Sequence, residues 1–469
     1  MAKDRSIGLK YVFLTLACLA VFWFSGRMNF TFSQSVSSTI FSASVLATLL
    51  FWESRVAIVF FGVAGLILTK TVDIDHLVRF SSLEVILFLV GMMIVIGLIR
   101  EANFFNWVLC RILTLKKMTA VKLVIIICLS SALLACLVDE VTSIIVMMAL
   151  IFVLADYFEV NALPFLIISV MCTNIGSSGT VLGNPIGILI ASKAGLTFED
   201  FMLRAFPLML VVLLAAIAIL LFWYRGEIRK MDAKIKEVGN NRETFAKLIC
   251  VPMTKDIKNE FLIFVGTLIF ISLHHRLEAA FGFTRNSLLL SIPLISAGTI
   301  MLWRREKARE YIEKDVDWWT LIFFMLLFAQ VGTLKYTGVT DIISKGIAGL
   351  ANGSQFFLIS FILWVSALGS SVLDNVLLVA TFIPVIGSLK DMGVETSVLW
   401  WSLLFGGCLG GNITMVGSTA NIVAMGMLEK SGKARISFFQ WFKIGLVIGL
   451  ASTAIVWAAL TGFTRFFAA

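Results

Sequence analysis

The chain has 469 residues, of which 59% are hydrophobic and only 14% charged, and its mean hydropathy is +0.98. That balance excludes a soluble globular protein and defines a polytopic membrane chain. The formal net charge of +9 reads as cytoplasmic loops rich in Lys and Arg, not as nucleic-acid binding, because the basic loops have no aromatic interleaving and match no nucleic-acid module.

Taken in order, the apolar segments predict eleven spans. Span 1 covers roughly 10–25, with Lys3, Arg5 and Lys10 before it and no small-residue cleavage site, so it reads as a retained helix rather than a leader. Spans 2 and 3 fall at roughly 37–52 and 55–70, and span 4 at roughly 83–99, followed by an amphipathic interfacial piece at 103–115. The run 120–155 is apolar on both sides of Asp139-Glu140. As one helix its roughly 36 residues would be about 54 Å long, against a hydrocarbon core of about 30 Å, so a re-entrant hairpin with its tip near Asp139 fits better.

Span 5 covers roughly 164–192, interrupted at Gly176–Pro185, and span 6 roughly 208–223. Residues 225–258 form a linker with nine Lys or Arg against five acids, which places it in the cytoplasm together with the N-terminus. Spans 7 and 8 (roughly 260–275 and 286–303) return the chain to a second basic loop, Arg304–Asp317. Span 9 (roughly 319–334), an interfacial piece (337–351), a second over-long run (356–390) broken at Asp374-Asn375, span 10 (roughly 398–428) broken at Gly410–Asn421, and span 11 (roughly 444–462) complete the chain.

The chain writes this pattern twice. A shift of 235 brings Asp139 onto Asp374 and Glu140 onto Asn375, and a shift of 234 brings Thr180-Val-Leu-Gly183-Asn184 onto Thr414-Met-Val-Gly417-Ser418. Followed from a cytoplasmic N-terminus, the first hairpin enters from the cytoplasm and the second from the opposite side, so the repeats are inverted. The expected fold is an all-α polytopic membrane protein with about eleven transmembrane helices and two re-entrant hairpins in two inverted repeats, its broken helices meeting at the midplane. That is the plan of secondary transporters. The organisation reads as an N-terminal helix (1–35), a first repeat (36–224), the basic linker (225–258), a second repeat (259–443) and a C-terminal helix (444–469).

Unwound backbone in a bilayer survives only where it is buried or lines a cavity. The expected site therefore gathers both hairpin tips and both breaks. Its candidate residues for the coupling cation or substrate are Asp139, Glu140, Thr142, Asn174, Ser177, Ser178, Thr180, Asn184, Asp374, Asn375, Asn412, Thr414, Ser418 and Asn421. Gly176, Gly179, Gly183, Pro185, Gly410, Gly411 and Gly417 supply the breaks. Asp139, Asn174, Asp374 and Asn412 are the expected Na⁺ donors. Three acids close together cannot all stay ionised when dry, so one keeps a proton or a cation sits among them. No Lys or Arg lies within the four breaks, so an anion has no evident counter-charge there.

Each group also has a plainer reading. The asparagines can cap half-helices, the hydroxyls can bond back to helix carbonyls, Gln330 can join helices, and Pro185 and Pro384 read as kinks. His76, His274 and His275 fall at predicted outer ends. The seven cysteines are scattered without a CxxC and read as small apolar residues in a bundle, a soft-metalloid ligand role being the alternative.

The first break, Asn174-Ile-Gly176-Ser-Ser-Gly-Thr180-Val-Leu-Gly183-Asn184-Pro185, resembles the helix-break signature of the ion transporter superfamily, as do Gly410-Gly411-Asn412-Ile-Thr414-Met-Val-Gly417-Ser418-Thr-Ala-Asn421 and the hairpin Leu373-Asp374-Asn375-Val376. That superfamily includes arsenite efflux pumps, D-type sodium/proton antiporters, the melanosomal P protein, and citrate and dicarboxylate permeases. The chain departs from it in carrying Asp139-Glu140 where the antiporter branch has Asp-Asn, and Ile186 where a second proline is usual.

The resemblance implies an ion-gradient-coupled antiporter using H⁺ or Na⁺, of the arsenite efflux or sodium/proton type, with an elevator-like movement and a homodimer in a bacterial or archaeal cytoplasmic membrane. The partners are then the lipid bilayer and a small ion or small-molecule substrate. No catalytic residue, enzymatic cofactor or nucleic acid is expected. A sodium-coupled importer of citrate, dicarboxylate or another oxyanion is the alternative, and a channel the alternative of another class. No Walker-type phosphate loop occurs, so the chain itself offers no ATP site.

Overall fold

The computed structural model describes residues 2–101, 107, 119–238, 255–432 and 436–468, and its described elements are all helical. The first half runs through α1 (Ala2–Arg27), α2 (Phe32–Leu50), α3 (Arg55–Leu68), the short α4 (Ile74–Phe80) and α5 (Leu83–Glu101). The interfacial piece expected at 103–115 lies outside the described residues except for Trp107.

The run 120–155 is two helices, α6 (Ala120–Leu137) and α7 (Glu140–Tyr157), of 18 residues each, meeting at Val138–Asp139. They fold back on each other, and the Ser143 hydroxyl donates to the Ser131 carbonyl across the hairpin at 2.9 Å. The predicted span 5 is α8 (Ala162–Gly176) and α9 (Pro185–Ala194), separated by eight buried residues, 177–184. Then follow α10 (Phe206–Trp223) and α11 (Arg225–Val238), which begins the basic linker; the linker's last residues, 255–258, open the next helix.

The second half has the same order. It comprises α12 (Lys255–Phe281), α13 (Ser287–Trp303), α14 (Trp318–Tyr336), α15 (Val339–Ala351) and the hairpin α16 (Gln355–Ser370) with α17 (Asn375–Asp391). The broken helix α18 (Ser397–Gly410) with α19 (Thr419–Ser431), and α20 (Phe438–Gly462), complete it.

Among the described residues, eight helices of 18 residues or more are long and apolar enough to cross a bilayer, the two arms of the first hairpin among them. Ser287–Trp303 with Arg305–Asp315, bent by 107°, makes a ninth if the pair is counted as one span. Their starts are set by local chemistry. Thr31 with Gln34 and Ser437 with Gln440 form reciprocal capping boxes, and the side chains of Thr119 and Asn161 accept from the first turns of α6 and α8.

The chain forms two compact units. One holds Met1–Leu87, Asp317–Leu358 and Val379–Thr396. Within it α14 packs on α2, α3 and α4, and Gln330 donates to the Val59 carbonyl at 3.2 Å, so this glutamine does join helices. The other holds Phe88–Val316, Ile359–Leu378 and Ser397–Ala469, and contains both hairpin tips and both breaks.

His274, in the last turns of α12, is 1% exposed, with its Nδ1 2.7 Å from the Ile271 carbonyl. One expectation is corrected. Pro185 does not kink a helix; it occupies the first turn of α9, where its missing N–H costs nothing.

Candidate functional site

In the second unit α6 lies beside α8 along a seam of small residues. A side chain at Gly176 would collide with the backbone of Ala132, the Cys136 thiol reaches the Gly176 carbonyl at 2.9 Å, and the Thr180 hydroxyl donates to the Cys136 carbonyl. The second repeat builds the same seam between α16 and α18. A side chain at Gly410 would collide with Ala367, and the Thr414 hydroxyl donates to the Ser371 carbonyl. The sequence repeat is thus a repeat of contacts, which seats each break against the end of its own hairpin's first arm.

Asn184 caps α9, its Oδ1 accepting from the Gly187 N–H at 2.9 Å, and Ser418 caps α19, accepting from the Ala420 N–H at 3.2 Å. The capping reading therefore holds for Asn184. It fails for the other three asparagines, which are at most 1% exposed and bond elsewhere. Asn174 donates to Asn412 Oδ1 at 2.9 Å and to Asn421 Oδ1 at 2.8 Å, and its own Oδ1 lies 3.1 Å from the Ser418 hydroxyl. Asn421 donates to the carbonyls of Gly411 and Thr414, and Asn412 to that of Met171. These amides lock the two breaks to each other. Ser177 and Ser178 bond back to the carbonyls of Asn174 and Ile175, while Asn184 Nδ2 donates to Ser177 Oγ at 2.9 Å and lies 3.1 Å from the Cys408 sulfur.

The three acids differ sharply in their surroundings. Asp139 caps α7. One oxygen accepts from the N–H groups of Val141 and Thr142, both at 2.8 Å, and the other from the Thr142 hydroxyl at 2.7 Å. Asp374 caps α17 through the Val376 N–H at 3.0 Å and accepts from the Thr419 hydroxyl at 2.8 Å. Glu140, 2% exposed, has two long contacts on Oε1, from Asn375 Nδ2 and the Ser418 hydroxyl, both at 3.4 Å. Its Oε2 has no hydrogen-bond partner, and neither has the Oδ1 of buried Asn375.

The expected cluster of three carboxylates is therefore not one cage: among the described residues no three His, Cys, Asp or Glu side chains come together around a metal-sized point. What the tips and the second break do present is one under-bonded carboxylate with amide and hydroxyl oxygens beside it. Hard cations are held by oxygen donors of this kind.

Every candidate residue named from the sequence falls in this one unit. Sequence reasoning missed Thr419, which fixes Asp374, and Trp441, whose indole N–H donates to the Asn412 carbonyl at 3.0 Å. Thr419 follows a residue that was singled out, so the run Ser418-Thr419 was a usable signal. Trp441 lies just before the predicted span 11, where nothing in the sequence marks it.

An all-helical chain of apolar spans, with buried polar breaks seated on two hairpins, is a membrane transporter. The chain belongs to the citrate transporter family, which it matches over residues 45–406. It is 33% identical over 387 residues to the uncharacterized transporter Mb2703 of Mycobacterium bovis, covering 82% of this chain and 86% of that protein. It is 26% identical to the human P protein over 450 residues, covering 82% of this chain and 54% of the P protein. The crystal structure of the Alcanivorax borkumensis YdaH transporter shares the fold, with a TM-score of 0.52 at 13% identity, covering 86% of this chain and 90% of that one.

Proposed function

We propose that this transporter is a secondary, ion-gradient-coupled antiporter that binds its coupling cation, Na⁺ or H⁺, at Glu140. The observation that carries the reading is that Glu140 Oε2 has no hydrogen-bond partner, and that neither has the Oδ1 of Asn375, whose amide nitrogen lies 3.4 Å from Glu140 Oε1. A buried carboxylate is costly without a positive partner, and among the described residues no Lys or Arg pairs with Glu140. A proton or a small cation supplies that partner. Asp139 and Asp374 serve the same site as caps that hold the two hairpin tips in shape. The repeat architecture supports alternating exposure of such a site to the two sides, and the membrane potential adds about 2.3 kcal/mol per charge per 100 mV to each uncompensated charge moved.

The family description favours a second reading, a sodium-coupled importer of citrate or a related carboxylate. The absence of Lys and Arg from the breaks argues that such an anion would be held by backbone N–H groups and hydroxyls, with the cation as its counter-charge.

Purified protein in proteoliposomes with a trapped pH dye separates the two. A proton gradient dissipated by Na⁺ or Li⁺, and insensitive to them in Glu140→Gln, supports the antiporter. A response confined to citrate or another carboxylate, with Na⁺ alone inert, overturns it in favour of the importer.

A further inference from the structure

The C-terminal helix α20 begins inside the second repeat as read from the sequence, at Phe438, and runs beyond it to Gly462, and it touches the second break more intimately than any pattern in the sequence announces. Trp441, Gly445 and Gly449 stand four residues apart and so share one face. Trp441 is fully buried and donates its indole N–H to the Asn412 carbonyl at 3.0 Å. A side chain at Gly445 would collide with the carbonyls of Asn412 and Ile413, and one at Gly449 with the Ile413 side chain. This face is therefore shaped to the unwound backbone, a ring donor above two bare stretches of helix.

From that carbonyl a chain of contacts leads to the carboxylate. Asn412 Oδ1 accepts from Asn174 at 2.9 Å, Asn174 Oδ1 lies 3.1 Å from the Ser418 hydroxyl, and that hydroxyl lies 3.4 Å from Glu140 Oε1. The first break has a different neighbour. There α10 meets Gly179 with the terminal methyl of Met209, a flexible apolar group that donates no hydrogen bond.

We infer that Trp441 is a positioning residue for the transport site, and that it makes the two breaks unequal: α20 clamps the backbone of the second, whereas residues 177–184 of the first, beyond the Asn174 amide that joins the two, are the ones left to rearrange. The inference deepens the cation-site reading and rests on it for its transport consequence, but its structural part stands independently of what is carried.

The test is hydrogen–deuterium exchange of the full chain in nanodiscs, comparing the two break segments, 177–184 and 411–418. It uses wild type, Trp441→Phe, and a chain with benzothienylalanine at 441, which keeps the ring shape and loses only the N–H. Loss of one hydrogen bond, about 1 kcal/mol, corresponds to roughly fivefold faster local exchange. We expect that acceleration across 411–418 and none across 177–184, with a similar weakening of apparent Na⁺ or Li⁺ affinity in proteoliposomes at an unchanged maximal rate. Unchanged exchange across 411–418 in the benzothienylalanine chain overturns the inference, and so does equal acceleration of both breaks, which is general loosening. A wild-type protein that moves neither cation sinks the antiporter reading, and the exchange comparison then still decides whether Trp441 clamps the second break.

Discussion

Gly176 rests directly on the backbone of Ala132, and Gly410 rests in the same way on Ala367. The offsets are 44 and 43 residues, and neighbouring positions extend each seam in register, Cys136 with Thr180 and Ser371 with Thr414. Close helix contact in a bilayer depends on small residues at such points. Overpacking typically costs about 1–3 kcal/mol. Gly176→Ala and Gly410→Ala should each lower the melting temperature in detergent by a comparable amount, and a large drop in one with none in the other would show that the seams are not equivalent.

The three acids should respond differently to neutralisation. Asn caps a helix about as well as Asp, so Asp139→Asn should leave stability within about 0.5 kcal/mol and retain cation-driven flux. Asp374→Asn keeps the cap but alters the bond from Thr419, and should give an intermediate flux. Glu140→Gln should abolish the response to Na⁺ and Li⁺ while leaving the protein folded, since it places an amide where a carboxylate has a free oxygen. Flux measured in all three against a common abundance standard decides the order. A dead Asp139→Asn with an active Glu140→Gln would reverse the assignment.

Asn174 is the amide on which both breaks lean. Asn174→Ala removes the donors to Asn412 and Asn421 and leaves two buried oxygens unpaired, each costing about 1–3 kcal/mol. Asn174→Asp is worse, because a carboxylate would face those same acceptors. The expected ranking in thermal stability is wild type, then Asn174→Ala, then Asn174→Asp. An aspartate as stable as wild type would mean that the amides can re-pair.

The basic helix α11 supplies a pH prediction. Its Asp232 lies 2.9 Å from Lys236 and accepts from the Ala120 N–H at 3.1 Å, and these partners hold the carboxyl below the usual range. A depressed carboxylate stabilises the folded arrangement above its unfolded pKa, and that stabilisation is lost as pH falls through the folded value. The seat of α11 on α6 should therefore persist at neutral pH and loosen below about pH 4. Spin labels at positions 122 and 229 should report a lengthened distance in acid, and Asp232→Ala should show it already at neutral pH. An unchanged distance in the variant would remove Asp232 from the account.

Much of this protein is determined by its sequence alone. Long apolar runs with few charges can only be membrane helices, a run too long for one crossing interrupted by acids has to turn, and glycine with asparagine in an apolar helix marks a break. These are local consequences of hydropathy and backbone chemistry, so both hairpins, both broken helices and the repeat were legible without coordinates. The candidate residues stood out in the sequence for the same reason, because polar atoms in lipid are costly, and the structure gathers them in one unit.

Their division of labour was not legible. Asp139, Glu140 and Asp374 look alike in a string, and only the fold shows that neighbouring N–H and hydroxyl groups saturate Asp139 and hold Asp374 in place, while one oxygen of Glu140 has no partner. Asn174 and Asn184 sit in one motif, yet one joins two breaks and the other caps a helix. Trp441 is indistinguishable from any membrane tryptophan until the Asn412 carbonyl appears beneath it. A hydrogen bond is satisfied or not according to which groups, hundreds of residues apart, meet within about 3 Å. That distance is a property of the packed chain, and hydropathy and spacing do not encode it.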